Sequence, residues 1–220
     1  MTKLILFGAA PLTRLLHYYI AESGIYDVCG FVVDERFKKA DEFCAKPLVS
    51  VEKLLDVFPP KQYKMLVAVG YNKLNEIRKE KYLQMKAMGY ELVNFVHPSN
   101  IIASNVKIGE NTIILEDNLI QPFVSIGNNV LMFSKNLLAH DAVIEDHCCL
   151  SSRVDIAGKV RIAESCFFGV GAGVDFDLTV GEKCIVGARS WLSSDAEPAS
   201  VYQAPKSIKR KLPSSRVKLK

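Results

Sequence analysis

The chain has 220 residues, of which 49% are hydrophobic and 24% are charged, and its formal net charge is +4. These proportions are those of a globular protein and exclude a disordered or fibrous chain. No apolar run approaches the roughly 20 residues of a membrane helix, and the N-terminal apolar run is too short for a signal peptide. We therefore expect two domains, no insertion into a membrane and a cytoplasmic location.

The first hundred residues alternate strand-like and helix-like patterns. Strands are predicted over residues 4–7, 28–33, 65–69 and 91–96, and helices over residues 11–23, 51–58 and 72–88. Gly8 turns the chain after the first strand, Asp34 follows the second strand, and Gly70 closes the third. This alternation predicts a small parallel sheet with flanking helices, and we expect a Rossmann-like α/β domain over residues 1–97.

After His97 the pattern changes to a six-residue repeat. From Ile102 to Leu192 every sixth residue is apolar, sixteen times in succession. This period predicts a three-sided coil in which each side is a short strand with its apolar anchor pointing inward. We expect an all-β parallel β-helix of about five coils over residues 98–202, with a small or flexible residue directly after each anchor to make the turn.

Three of the six cysteines follow the period of one coil. Cys148, Cys166 and Cys184 are eighteen residues apart, so they should stack as an internal column of thiols. Free cysteine behaves as a small buried hydrophobe, and we interpret the column as packing rather than chemistry. The chain has no Cys-x-x-Cys pair, so we expect reduced thiols.

Positive charge is concentrated in a predicted C-terminal tail, residues 203–220. The last fifteen residues contain no acid and seven cations, Lys206, Lys209, Arg210, Lys211, Arg216, Lys218 and Lys220. A nucleic-acid-binding domain usually carries its basic face within the fold, so this distribution argues against nucleic acid as a partner.

His140 is the candidate for acid–base chemistry among the four histidines. It lies with Asp141 at a turn midway along the β-helix, where a carboxylate could fix the tautomer of an imidazole base. We expect His17 to be structural or at the surface, His97 to be structural at the interdomain joint, and His147 to be a solvated turn residue.

Residues at the ends of the predicted strands favour a nucleotide-type ligand over none. Gly8 and Ala9 form the turn after the first strand, although the full G-x-G-x-x-G fingerprint is absent. Asp34 could bond a ribose hydroxyl or could be a solvated loop acid, and both interpretations stay open. Gly70 and Asn72 end the third strand at the same edge, where open α/β sheets bind ligands.

Several motifs occur in a specific order around the hexad array. They are Phe7-Gly8-Ala9, Val33-Asp34-Glu35, Val69-Gly70-Tyr71-Asn72, His97-Pro98-Ser99, His140-Asp141 and Val201-Tyr202. Over nearly its whole length the chain resembles the two-domain sugar acyltransferases of the sialic acid O-acetyltransferase type, especially the bacterial nucleotide-linked amino-sugar N-acetyltransferases. The resemblance implies a homotrimer of left-handed β-helices, with acetyl-CoA between subunits and the nucleotide sugar held by the first domain.

The resemblance also implies a role for particular residues. His140 would be the general base that accepts a proton from the sugar amine as it attacks the thioester, and Asp141 would orient it. No metal is implied. Residues expected near the coenzyme are Gly158, Val170, Gly187 and Ala188, and those expected near the nucleotide sugar are Gly8, Ala9, Asp34, Gly70 and Asn72.

Three alternatives remain open from the sequence. O-acetylation of a sugar hydroxyl would use the same base and coenzyme. A metal-dependent β-helix hydratase would need several histidines at a subunit interface, whereas this β-helix contains only His140 and His147. A non-catalytic β-helix scaffold would make His140 incidental. The sequence does not determine the nucleotide base, the sugar carbon that carries the amine, or the acyl chain length.

Overall fold

The computed structural model describes residues 1–207 and residue 209, so five of the seven tail cations lie outside the described residues. The α/β part of the chain contains five strands and three helices. The strands are β1 (Thr2–Phe7), β2 (Tyr26–Val33), β3 (Glu42–Phe43), β4 (Lys46–Ser50) and β5 (Lys64–Val67), and the helices are α1 (Pro11–Ser23), α2 (Leu54–Val57) and α3 (Glu76–Ala87). Short 3₁₀ turns cover Glu35–Phe37 and Val51–Lys53.

The five strands form one sheet in the order β3-β4-β2-β1-β5. All neighbours are parallel except β3 and β4, which form an antiparallel hairpin. The small parallel sheet is therefore confirmed, and the hairpin is an addition that the polar sequence of residues 38–46 did not reveal. Alternate residues of β1 enter different cores, because successive strand side chains point to opposite faces. Leu4 and Leu6 lie on the side of α1, and Ile5 and Phe7 on the side of α2 and α3.

Two boundaries differ from the sequence prediction. Helix α3 begins at Glu76 rather than near residue 72, because Lys73, Leu74 and Asn75 all have positive φ, at 54°, 51° and 63°. The predicted strand over residues 91–96 is divided: Leu92 makes a single bridge to β5, whereas β6 (Phe95–Val96) joins the β-helix. Apolar alternation cannot indicate which of two adjacent sheets a segment will join.

The repeat forms a parallel β-helix, as the hexad predicts, and each coil has three two-residue strands. Strands β7 to β22 are Ile101–Ile102, Lys107–Ile108, Ile113–Ile114, Leu119–Ile120, Ser125–Ile126, Leu131–Met132, Leu137–Leu138, Val143–Ile144, Cys149–Leu150, Asp155–Ile156, Arg161–Ile162, Phe167–Phe168, Gly173–Val174, Thr179–Val180, Ile185–Val186 and Trp191–Leu192. The last strand is β23 (Val201–Tyr202).

Three sheets make the sides of the β-helix. Face A contains β6, β9, β12, β15, β18, β21 and β23; face B contains β7, β10, β13, β16, β19 and β22; face C contains β8, β11, β14, β17 and β20. We name each edge after the two faces that it joins. Strand partners are eighteen residues apart, as in the pairing of Leu119 with Leu137. The sequence-predicted thiol column is confirmed, because Cys148, Cys166 and Cys184 are fully buried in the β-helix core.

The turns differ from the expectation that a flexible residue directly follows each anchor. The left-handed residue of each turn lies three positions after the anchor, and Gly171 is the single glycine among those from 111 to 189. The others are Asn111, Asp117, Phe123, Asn129, Lys135, Asp141, His147, Arg153, Lys159, Ser165, Asp177, Lys183 and Arg189, with φ between 54° and 67°. The glycines after the anchors serve close packing instead, since a Cβ at Gly127 would lie 2.3 Å from Oδ1 of Asp146.

The α/β domain packs against face A. Ile113, Leu131 and Cys149 of that face share a core with Leu4 and Phe31 of the α/β sheet. Faces B and C, and the edge between them, therefore lie away from this contact. Among the described residues, no helix is long and apolar enough to cross a membrane.

We predict that Lys183→Asn stabilises the protein. Lys183 is an exposed corner residue with a φ of 57°, a conformation that asparagine adopts at lower cost than lysine. The expected gain in the free energy of unfolding is about 0.5–1 kcal/mol, measured by chemical denaturation. Glu182→Asn is the control, because Glu182 is also exposed but has an ordinary negative φ. An equal gain in both variants would contradict the conformational explanation.

Candidate active site

His140 and Asp141 form a hydrogen-bonded pair on the B–C edge. Nδ1 of His140 lies 2.8 Å from Oδ2 of Asp141, and the two side chains are 49% and 48% exposed. The corner conformation produces the pair, because Asp141 has a φ of 62°. Since the carboxylate accepts a hydrogen bond from the N–H at Nδ1, the other ring nitrogen, Nε2, is unprotonated and available to act as a base. This geometry is that of an oriented general base open to solvent.

Three further residues hold His140 in place. The backbone N–H of His140 donates to Oε1 of Gln121 at 2.9 Å, and the ring of Phe176 lies 6.3 Å from the imidazole, centroid to centroid. Gly158 lies one coil above His140, and a Cβ at this position would be only 2.8 Å from Nε2. The missing side chain of Gly158 therefore makes room for the basic nitrogen. No sequence motif marks Gln121 or Phe176. Only the stacking of coils, with one coil every eighteen residues, indicates that they lie near His140.

A cavity of about 390 Å³ lies at the carboxyl ends of β1 and β2 and the loop after β5. Its lining includes Gly8, Ala9, Asp34 and Asn72, four of the five residues that the sequence assigns to a nucleotide sugar. The fifth, Gly70, directly follows the lining residue Val69. The remaining lining residues are Phe7, Ala10, Val33, Phe37, Lys39, Ile77 and Lys81.

The first turn of this cavity requires a glycine. Gly8 has a φ of 135°, and a Cβ there would lie 2.5 Å from Oγ1 of Thr13 and 3.0 Å from the carbonyl oxygen of Ala68. Ala9 and Ala10 line the cavity immediately before α1, which starts with Pro11 and has no acid in its first turn. The cavity thus lies at the N-terminal end of a helix, where the helix dipole and free N–H groups favour an anion.

Asp34 is not a solvated loop acid. Its Oδ1 accepts a hydrogen bond from Nζ of Lys81 at 2.7 Å, and the Lys81 side chain is only 8% exposed. Nζ also lies 3.1 Å from Oε1 of Glu80 and 3.2 Å from Oε1 of Gln84, so its three donors are engaged. Burial alone would lower the pKa of Lys81, but the bonds to Asp34 and Glu80 raise it overall.

The Asp34–Lys81 pair leaves Oδ2 of the carboxylate as its acceptor for a ligand. Because the three donors of Lys81 are already used, its contacts hold Asp34 in place. Sequence reasoning missed Lys81, since a lysine within a polar helix has no distinguishing pattern.

The residues expected near the coenzyme are not brought together in one chain. Gly158 lies with His140 on the B–C edge, whereas Val170, Gly187 and Ala188 lie on the A–B edge. Val170 is exposed, and Gly187 donates its N–H to the carbonyl oxygen of Tyr202 at 2.8 Å. The two groups are therefore separated by the width of face B.

The other histidines are in structural settings. His147 is buried, so the expectation that it is a solvated turn residue was wrong: the ring of Tyr82 from α3 lies 5.7 Å from its own. His97 bonds Oγ of Ser99 at 2.9 Å at the interdomain joint, and His17 packs edge-on against Phe31. In the described part of the chain, no cluster of three or more His, Cys, Asp or Glu residues could hold a metal ion.

Comparison with known proteins identifies the fold. No family model matches the chain, and no curated protein matches it in sequence. The acetyltransferase domain of PglB from Neisseria gonorrhoeae is 22% identical with a TM-score of 0.81, and the match covers 91% of this chain and 96% of that one. That domain has also been solved with acetyl coenzyme A.

A mutant of perosamine N-acetyltransferase from Caulobacter crescentus, solved with CoA and GDP-perosamine, gives 23% identity, a TM-score of 0.82, and coverage of 91% of this chain and 93% of that one. WeeI from Acinetobacter baumannii gives 17% identity, a TM-score of 0.74, and coverage of 91% and 96%. The chain therefore has, over nearly its whole length, the two-part fold of these proteins.

We predict that Gly158→Ala displaces the imidazole of His140. The added methyl group would meet Nε2 at 2.8 Å, so the ring must turn and its 2.8 Å contact with Asp141 must lengthen. A crystal structure of the variant measures both changes. Gly70→Ala is the control for ring position, because nothing lies within 4 Å of a Cβ at Gly70. An unchanged His140–Asp141 contact in the Gly158 variant would show that this glycine does not set the ring position.

Proposed function

We propose that the chain is an acetyl-CoA-dependent N-acetyltransferase that acts on a nucleotide-linked amino sugar, in bacterial surface glycan biosynthesis. The oriented His140–Asp141 pair, with Nε2 facing the open side of Gly158, is the observation that carries this proposal. The fold supports it, because similar structures have been solved with acetyl coenzyme A, or with CoA and GDP-perosamine.

The cavity in the α/β domain supports the view that the acceptor sugar is bound through an attached nucleotide. The N-terminal end of α1 suits a phosphate group, and the carboxylate of Asp34 suits a ribose hydroxyl, since it follows a strand next to β1. Phe37 adds an exposed aromatic ring to the lining. The residues that line the cavity thus favour a nucleoside diphosphate over a free sugar.

We propose that the active site is shared between copies in a homotrimer of left-handed β-helices. His140 is on the one edge that does not border face A, whereas the α/β domain packs on face A. Val170, Gly187 and Ala188 are on the A–B edge. A cyclic trimer would place the B–C edge of one chain beside the A–B edge of the next and would turn every face B toward the axis. Exposed Ile101, Leu119 and Trp191 lie on face B.

The reaction then needs no acyl-enzyme. The sugar amine would attack the thioester carbonyl of acetyl-CoA, Nε2 of His140 would accept the amine proton, and Asp141 would stabilise the imidazolium that forms. The tetrahedral intermediate would then collapse with cleavage of its C–S bond, and coenzyme A would leave as the thiol after taking up the proton from the imidazolium. Gly158 is the nearest candidate for an oxyanion donor, because its Cβ position lies 2.8 Å from Nε2, and we assign this role to its backbone N–H. Holding both substrates in one groove makes the attack effectively unimolecular, which supplies a large part of the rate.

We predict that His140→Ala lowers kcat by roughly 10² to 10⁴ without loss of the oligomer, because a general base is lost while its exposed side chain supports no core. The assay follows acetyl-CoA consumption with UDP-, dTDP- and GDP-linked amino sugars, and light scattering measures the oligomer. Unchanged turnover would remove His140 from the mechanism. Turnover of a free sialic acid with no activity on any amino sugar would make the enzyme an O-acetyltransferase, and absence of CoA binding by calorimetry would favour a scaffold.

We further predict that two inactive variants complement each other. In a shared site, the cavity of a His140→Ala chain can present its substrate to the intact His140 of an Asp34→Asn chain. Random co-assembly of the co-expressed variants should restore roughly a quarter of the sites, whereas each variant alone stays impaired. If each site lay within one chain, the mixture would be no more active than the average of the two variants.

A further inference from the structure

A line of side-chain hydrogen bonds runs along the C–A edge into the α/β domain. The backbone N–H of Val67 donates to Oδ1 of Asn111 at 2.8 Å, and Nδ2 of Asn111 donates to Oδ1 of Asn129 at 2.7 Å. Nδ2 of Asn129 then lies 2.9 Å from Nδ1 of His147. Asn111, Asn129 and His147 take the same corner position in successive coils, and all three are buried. We call this line the amide ladder.

The direction of the amide ladder is fixed at its α/β end. A backbone N–H can only donate, so Asn111 must present its oxygen to Val67 and its NH₂ group to Asn129. Asn129 must in turn present its NH₂ group to His147. Nδ1 of His147 is therefore the acceptor, and the ring proton resides on Nε2. The ladder is complete only with a neutral imidazole.

A second proton on His147 cannot be accommodated by turning the amides. Protonated Nδ1 would face the NH₂ group of Asn129, and reversing Asn129 would transfer the same conflict to Asn111. Reversing Asn111 would then set its NH₂ group against the N–H of Val67, which cannot reverse. One buried donor loses its acceptor wherever the conflict is placed.

The surroundings of His147 also oppose a second proton. Burial is the main cause that lowers the pKa of His147, and Lys79 of α3 lowers it further, with a smaller contribution from Arg78. Asp146 and Glu164 of the β-helix act in the opposite direction, each with a smaller effect than burial or Lys79. On the remaining side, the aromatic ring of Tyr82 stacks edge-on with His147, and its hydroxyl donates to Oε1 of Glu110 at 2.6 Å.

Arg78 is a buried positive charge that contacts the amide ladder. Its side chain is fully buried and donates to carbonyl oxygens of both domains, those of Val67 and Val69 in one and those of Asn111 and Asn129 in the other. Burial lowers the pKa of Arg78 to about 9, so the guanidinium remains charged at neutral pH. Protonation of His147 would place a second cation beside the same junction.

The contact that Val67, Arg78 and the amide ladder form between the two domains is connected to the cavity at two points. Val67 ends β5, directly before the loop that carries Asn72 into the cavity lining. Asn75, the last residue of the left-handed turn before α3, donates from Nδ2 to the carbonyl oxygen of His147. Both sides of the segment 68–74 are therefore fastened to the C–A edge through His147 and its ladder.

We propose that neutral His147 is a positioning residue that holds the cavity-bearing edge of the α/β domain on the β-helix, and that protonation of His147 releases this edge. In weak acid the free energy of unfolding should then decrease, and the α/β domain should at the same time detach from the C–A edge of the β-helix. The folded-state pKa of His147 is lowered, so the unfolded chain binds the proton more readily, and the stability present above about pH 6.5 is lost as the pH falls below it.

Two substitutions separate this role from simple packing. His147→Asn continues the asparagine column, and its Oδ1 can accept from Asn129 with the geometry that Asn129 already uses toward Asn111, but it cannot be protonated. His147→Leu removes the acceptor at every pH. The measurement is hydrogen exchange of the Val67 amide in the full chain, followed by mass spectrometry at about pH 7.5 and about pH 5.5 and corrected for intrinsic exchange.

We expect the native Val67 amide to exchange roughly ten- to a hundredfold faster at the lower pH, as for the loss of one buried hydrogen bond. The asparagine variant should keep its protection at both values, and the leucine variant should lack it at both. An equal acid-induced loss in the asparagine variant would overturn the proposal, as would native protection in a folded leucine variant. Burial also lowers the pKa of His17, so its protonation could change the exchange rate in weak acid, but this effect is the same in the native protein and in both variants. The test needs no substrate, so its outcome is independent of the proposed function.

Discussion

Parallel pairing between strand residues eighteen positions apart determines on which edge each side chain of the β-helix lies. The coils stack in one register, so each edge is a set of columns, and a residue's number decides its edge. His140, Gly158 and Phe176 share one column of the B–C edge, and Asn111, Asn129 and His147 share one of the C–A edge. The same register that closes the core therefore keeps the His140–Asp141 pair and the contact with the α/β domain on different edges.

The sequence predicts most of the β-helix because its core is built from one repeated requirement, an apolar anchor at every sixth residue. It also predicts the His140–Asp141 pair, since the partners are adjacent and share a corner. What depends on contacts between distant segments is not predictable in this way. The burial of His147 depends on α3, and the partner of Asp34 is Lys81, 47 residues away. Neither contact leaves a periodic or local pattern.

The contact between the two domains covers the end of the edge strand β5 of the α/β sheet. Strand β5 is the last strand of its sheet, and an unpaired strand edge is a site for unwanted pairing. Here Asn111 accepts from the N–H of Val67, and Arg78 donates to two carbonyl oxygens beyond it. The apolar contact with face A supplies area, whereas these polar bonds specify one orientation. The same bonds make the position of the cavity depend on the β-helix.

The left-handed turn positions of the β-helix accept several kinds of side chain. Phe123, Asp141, Lys159 and Asp177 occupy the same backbone conformation at successive corners of the B–C edge, so on that edge the fold constrains φ and allows different side chains. Each nonglycine residue there carries a conformational cost of about 1 kcal/mol, which the stacked coils tolerate. On the B–C edge a side chain can consequently be moved between coils in steps of eighteen residues with no change in the core. The edge therefore offers a series of equivalent positions, one in each coil. The number of coils, rather than a particular loop, determines how many positions are available for a functional side chain.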